Sequence, residues 1–255
     1  GKRFYKNEDY PKARQVFAQY VQHYPADTSR MLDIAYLEAL MSEAEGNKQD
    51  AMQGYSRFLT AYGSAKASEP ALTVDPLYLA TARFRTLDPL YAEYLSVQLK
   101  EPLEKNLARK QSLLDRLVSG YMETVTSGAG EYALASAFRV GEAYQDFWKA
   151  LLDSEMPMGL SAEEKGVYRE LLKEQGEPYR EKALTSYEIT LEKAKDKGVF
   201  NEWVLKTYSR LASLDPDRYP PMLQDALVWQ ETWEPKRSLV RTIDLSQPRA
   251  FSSKR

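Results

Sequence analysis

The chain reads as an all-α protein, an α-solenoid of helical hairpins followed by an extended C-terminal tail. Three observations predict this. A small-then-aromatic pattern near the start recurs 38 residues later. Apolar residues elsewhere stand three and four apart, the spacing of one helix face. Continuous strand-like alternation is absent. Roughly eleven helices are expected from these stripes and their breaks.

The recurrence is explicit when Ala13 is laid on Ala51. Phe17 then meets Tyr55, Tyr20 meets Phe58 and Tyr24 meets Tyr62. A small residue before two large ones predicts close approach of a neighbouring helix at one turn and filling at the next. Asp9 is placed to cap this first stretch, with Pro11 in the opening turn, where its missing N–H costs nothing. Residues 1–6 read as the end of a preceding helix and residues 10–24 as its partner. This expects more chain upstream of Gly1, where a targeting sequence or lipid anchor would stand.

The pattern resembles the second helix of a tetratricopeptide repeat, through Ala13, Phe17, Tyr20 and Pro25 and again through Ala51, Tyr55 and Phe58, with Gly63 in place of the proline. The family period is about 34 residues, so each hairpin here is longer by roughly one helical turn. "AFRVGEAY" is similar to the family's first-helix signature, through Gly141 and Tyr144. The glycine would admit a partner helix closely, at a propensity cost of about 1 kcal/mol. Ala183 and Tyr187 in "REKALTSYEITLEKAKDKG" resemble another second helix.

The intervening chain is read element by element. Residues 28–45 carry a wide apolar stripe from Met31 to Ala44. Asp-Pro at 75–76 and again at 88–89 marks two short helices. Residues 103–126 form the longest candidate, with Leu103, Leu107, Leu114, Leu117, Val118, Tyr121, Met122 and Val125 on its buried side. A break follows at 126–131. Residues 154–166 read as a connector, with Ser161 and Glu164 spaced as a capping box. Asn201 is placed to cap a last helix. The chain thus divides into hairpins at 1–130, hairpins at 131–233 and a tail at 234–255.

Net charge is −2, which gives no global attraction to nucleic acid or anionic membrane. No apolar run reaches the roughly 18 residues of a membrane span. With no cysteine, disulfides and thiolate metal sites are excluded. His23 is the only histidine, so it has no partner of its kind for metal or triad chemistry, and its expected place is the surface or a helix end. No phosphate loop or dinucleotide fingerprint is present. The 18 tyrosines fall mostly on apolar stripes, which argues for packing rather than base stacking.

No cofactor or metal is expected. The resemblance implies a scaffold or adaptor that holds a peptide segment or another protein subunit. Members that grip acidic chaperone tails use basic residues and Asn on their first helices, whereas residues 28–45 offer Asp33, Glu38 and Glu43, so that role is not implied. Asp33, Tyr36 and Glu43 are the candidate partner contacts in this stretch. The second half is also similar in layout to periplasmic tetratricopeptide scaffolds of Gram-negative envelope machines, which implies a periplasmic setting. Two other readings stay open: a helical solenoid enzyme using paired carboxylates, as in lytic glycosidases, and a cytoplasmic solenoid binding RNA or a peptide. In the tail, Lys236, Arg237, Arg241, Arg249, Lys254 and Arg255 against Glu234 and Asp244 give +4, leaving −6 for residues 1–233. Leu239, Val240, Ile243 and Phe251 recur within it, and an extended segment docked on an acidic surface is expected, either that of a partner subunit, which is favoured, or that of its own solenoid.

Overall fold

A computed structural model describes residues 1–126 and 130–221. The tail from 234, with Leu239, Val240, Ile243 and Phe251, lies outside the described residues. Among those described there are ten helices: α1 (Lys2–Lys6), α2 (Tyr10–His23), α3 (Thr28–Ala44), α4 (Lys48–Ser68), α5 (Pro76–Thr86), α6 (Asp88–Ser96), α7 (Leu103–Thr126), α8 (Gly130–Leu152), α9 (Ala162–Asp196) and α10 (Glu202–Leu214). No strand occurs among them.

Local chemistry sets most boundaries. Asp9, Asp27 and Asp75 accept backbone N–H bonds from Lys12, Arg30 and Leu77, and so cap α2, α3 and α5. Asn201 takes the N–H groups of Trp203 and Val204 at the start of α10. The second Asp-Pro behaves differently from the first. Leu87 both ends α5 and begins α6, and Asp88 lies inside the first turn instead of capping it.

The capping box at Ser161 and Glu164 forms, and α9 begins at once behind it. The expected connector therefore ends at residue 161. The helix runs for 35 residues through Pro178, about 52 Å. An interior proline costs about 3 kcal/mol. Packing of the following turns on α8, through buried Ala183 and Tyr187, offsets that loss.

Helices pack mainly on their chain neighbours, and a second set of contacts links α3 to α5, α5 to α8 and α8 to α10. These four form one continuous row of the solenoid. Ala13, Phe17, Ala51, Tyr55 and Phe58 are buried in one apolar cluster, with Tyr20 at its margin. Pro25 is exposed just beyond α2. A second cluster crosses from Phe84 and Tyr94 through Leu114, Leu117 and Tyr121 to Ala135 and Phe147, so α7 and α8 share one core across residues 127–129. Gly141 and Tyr187 are buried against each other, and Tyr144 is half-buried beside them.

Two expectations about α3 and α7 are corrected. Tyr36 is 3% exposed, with its ring stacked on Tyr78 at 4.0 Å between centroids. Met122 is 44% exposed, and the buried side of α7 instead includes Lys110. The Lys110 ammonium donates to the carbonyls of Tyr94 and Val97, both at 3.2 Å, and pairs with Asp146 at 2.9 Å. It thereby gives the Val97 carbonyl a donor and adds one to the Tyr94 carbonyl, which already accepts the Val97 N–H at the end of α6.

Candidate binding cleft

The row of helices places a cleft between α6, α8 and α10. Its polar lobe, a cavity of about 350 Å³, is walled by Tyr91, Arg139, Glu142, Gln145, Asp146 and Arg210, with exposed Lys149 at the rim. A second lobe of about 450 Å³ shares Arg139, Glu142 and Arg210 and adds the apolar surfaces of Phe138, Trp203 and Leu205. Residues 138, 142, 145 and 149 of α8 stand four and three apart and so share one helix face. That face is turned to the cleft because the opposite one, with Val140, Ala143, Phe147 and Leu151, is buried in the core shared with α7.

Within the cleft Glu142 is the hub. It accepts from Arg139 Nη1 at 2.9 Å and from Arg210 Nη2 at 2.8 Å, and so ties α8 to α10. The Arg139 guanidinium also lies 4.6 Å from the ring centroid of Tyr91, which ties α8 to α6. Burial disfavours the Arg139 cation, but Tyr91 and Glu142 more than offset this and raise its pKa. Burial pushes the Tyr91 phenol up to about 12, with Glu142 adding to the shift. Asp146 has Lys110 as its cation.

Gln145 stands apart from these pairs. Its Oε1 accepts from the Tyr187 hydroxyl at 2.8 Å, which orients the amide. Its Nε2 is buried and has no hydrogen-bond partner, though the side chain forms part of the cleft wall and the residue is only 4% exposed. A buried donor without an acceptor costs about 1–3 kcal/mol, so the site favours any ligand that brings an oxygen to it.

The candidate contacts on α3 are each engaged within the chain. Asp33 takes Lys2 at 2.8 Å and Arg30 at 3.2 Å. Glu43 accepts from the Tyr55 hydroxyl at 2.6 Å and pairs with Arg85 at 2.6 Å. Tyr36 is in the core. The structure does not gather them into one site. The cleft residues were not singled out from the sequence, apart from Gly141 behind them. The available signal was Arg139, Glu142, Gln145 and Lys149 at helical spacing inside an otherwise apolar helix.

His23 donates to the Gln19 carbonyl from the exposed end of α2, when its Nδ1 carries the proton. Among the described residues no cluster of three or more His, Asp or Glu could hold a metal, and no helix is long and apolar enough to cross a membrane. Comparison with protein-family models, with curated proteins and with solved structures finds no match to this chain.

Proposed function

We propose that the chain is a non-catalytic interaction subunit of a multi-protein assembly, holding an extended segment of a partner protein in the cleft between α6, α8 and α10. The observation that carries this reading is the unpartnered Nε2 of Gln145 in the cleft wall. A peptide carbonyl supplies the acceptor it lacks. The cleft's division into a charged lobe and an apolar one suits a polypeptide, which brings backbone oxygens and apolar side chains together.

The carboxylates and cations support binding over the other readings. Glu142 is held by two guanidinium groups and Asp146 by an ammonium, an arrangement suited to holding geometry rather than to passing a proton. Both arginines of the cleft are engaged by Glu142 and Lys206 by Glu202, which leaves the exposed Lys149, a single cation rather than the basic stripe a nucleic-acid backbone calls for. The setting we propose, a Gram-negative cell envelope, rests on the resemblance of residues 160–211 to envelope scaffolds.

The test uses the full-length chain as bait in its native source, with Arg210→Ala and Lys149→Glu variants beside the wild type. Both positions are on the cleft wall, and neither is buried. A partner should be retained by the wild type and recovered about tenfold less by both variants, equivalent to about 1.4 kcal/mol, with the melting temperature unchanged in Lys149→Glu. Equal recovery from all three overturns the cleft as the binding site.

A further inference from the structure

The polar lobe of the cleft is unevenly charged. Arg139, Lys149 and Arg210 stand in its wall and Lys110 behind it, against the carboxylates of Glu142 and Asp146. Lys110 answers Asp146, and Glu142 must answer two guanidinium groups at once, at 2.9 and 2.8 Å. The unanswered charge lies on the side open to solvent. Arg210 gives Nη2 to Glu142 and is otherwise exposed. Lys149 is exposed and has no carboxylate partner among the described residues. Two buried donors of the same wall, Arg139 Nε and Gln145 Nε2, also lack acceptors. The lobe is thus short of both negative charge and acceptor oxygens, although the chain as a whole is net negative. The adjoining lobe is different. It is floored by Phe138, Trp203 and Leu205, and its extra cation, Lys206, is paired with Glu202 at 2.6 Å.

We propose, building on the cleft as a peptide site, that the partner segment carries an acidic side chain that docks in the polar lobe against Lys149 and Arg210, with a large apolar side chain two residues away in the lobe of Phe138, Trp203 and Leu205. An extended chain turns residues i and i+2 to the same side, about 7 Å apart. The two lobes share Arg139, Glu142 and Arg210, so they are neighbours that such a pair can fill together. A basic side chain would add to the unanswered charge, whereas a carboxylate accepts from an ammonium and a guanidinium in charge-assisted bonds. The segment's backbone carbonyl remains for the Gln145 amide. Glu142 is then a built-in competitor. It occupies guanidinium donors from α8 and α10 that the incoming acid could use, and so holds the affinity for that acid down.

The test presents the full-length chain with a bead-bound library of random heptapeptides, acetylated at the N-terminus and attached through the C-terminus. Side chains then supply the only carboxylates. Selected peptides that lose binding to Leu205→Glu, which places a charge in the apolar lobe, are the ones that use the cleft. Among these, aspartate or glutamate should stand two residues from a large apolar residue, about tenfold more often than aspartate and glutamate replaced by lysine or arginine. Lys149→Glu should weaken them about tenfold, and Glu142→Gln should tighten them about threefold by releasing the two guanidinium groups. A glutamate that merely held the fold would weaken binding when changed. Cleft-dependent peptides without an acidic excess, or a folded Glu142→Gln that binds them more weakly, overturn this inference and leave the cleft as a peptide site. No cleft-dependent peptide at all overturns the peptide site itself. Should Glu142→Gln fail to fold, Lys149→Glu on the exposed rim decides, and unchanged affinity there overturns the proposal.

Discussion

Gly141 and Tyr187 are so close that a Cβ on the glycine would lie 2.5 Å from the tyrosine Cε1. Real carbon atoms do not approach this closely, so no side chain fits without moving the ring. Tyr187 is fully buried and its hydroxyl is tied to Gln145, which limits how far the ring can shift. Gly141→Ala should therefore destabilise by about 1–3 kcal/mol despite the better helix propensity of alanine. Denaturant unfolding measures this, and wild-type stability in the variant would mean that α8 and α9 are not in contact here.

Ala13 and Ala51 play a related part at the first hairpins, at 0% and 4% exposure. Ala13→Leu and Ala51→Leu should each cost about 1–3 kcal/mol through overpacking. Thermal melts of the two variants check this, and unchanged transitions would show that the 38-residue register is misplaced.

Lys110 is 2% exposed, with two carbonyls, one carboxylate and the face of Tyr94 around its ammonium. Lys110→Met keeps the stem and removes the charge. The loss of charge-assisted bonds should lower stability by about 1.5–3 kcal/mol. Hydrogen exchange should rise first in α6, whose last turn would lose its tie to α7.

Asp88 supplies a pH dependence. Burial raises its pKa above the usual 3.8, against the smaller pull of Arg85 and Arg139. A folded-state pKa above the unfolded one means that the fold prefers the protonated acid. The penalty for ionised Asp88 is thus fully present above the folded pKa and fades as pH falls toward the unfolded value. Asp88→Asn should be more stable than wild type at pH 7, with the advantage shrinking toward pH 4. Unfolding curves at the two pH values decide, and a constant difference would contradict the burial of this carboxyl.

The helices with strong caps and one dominant stripe were legible in the sequence. Asp9 and Asn201 open α2 and α10, and the limits of α3 and α7 follow from their apolar spacing. The first half of α9 was not, because its capping box is followed by a charged stretch and Pro178, which hide a helix stabilised chiefly further on. The cleft was also hidden. Gln145 and Lys110 are polar residues on the apolar faces of their helices, and only the approach of Tyr187 and of the end of α6 shows what they do. Tyr36 was a candidate partner contact, and the arrival of Tyr78 from α5, stacked on its ring, makes it core.

The dependence of α6 on Lys110 bears on the order of assembly. At nine residues, α6 is below the roughly 12–15 needed for a helix to persist alone in water. Its last turn is completed by a lysine from α7, and its Tyr94 hydroxyl donates to the carbonyl of Ala143 in α8. It therefore acquires its shape late, once the two longer helices after it have met. Tyr91, which it carries to the cleft, is then a product of the finished body. A chain ending before α8 would lack both the helix that α6 leans on and the opposite wall of the cleft, so limited proteolysis between α7 and α8 should loosen α6 before it loosens α7.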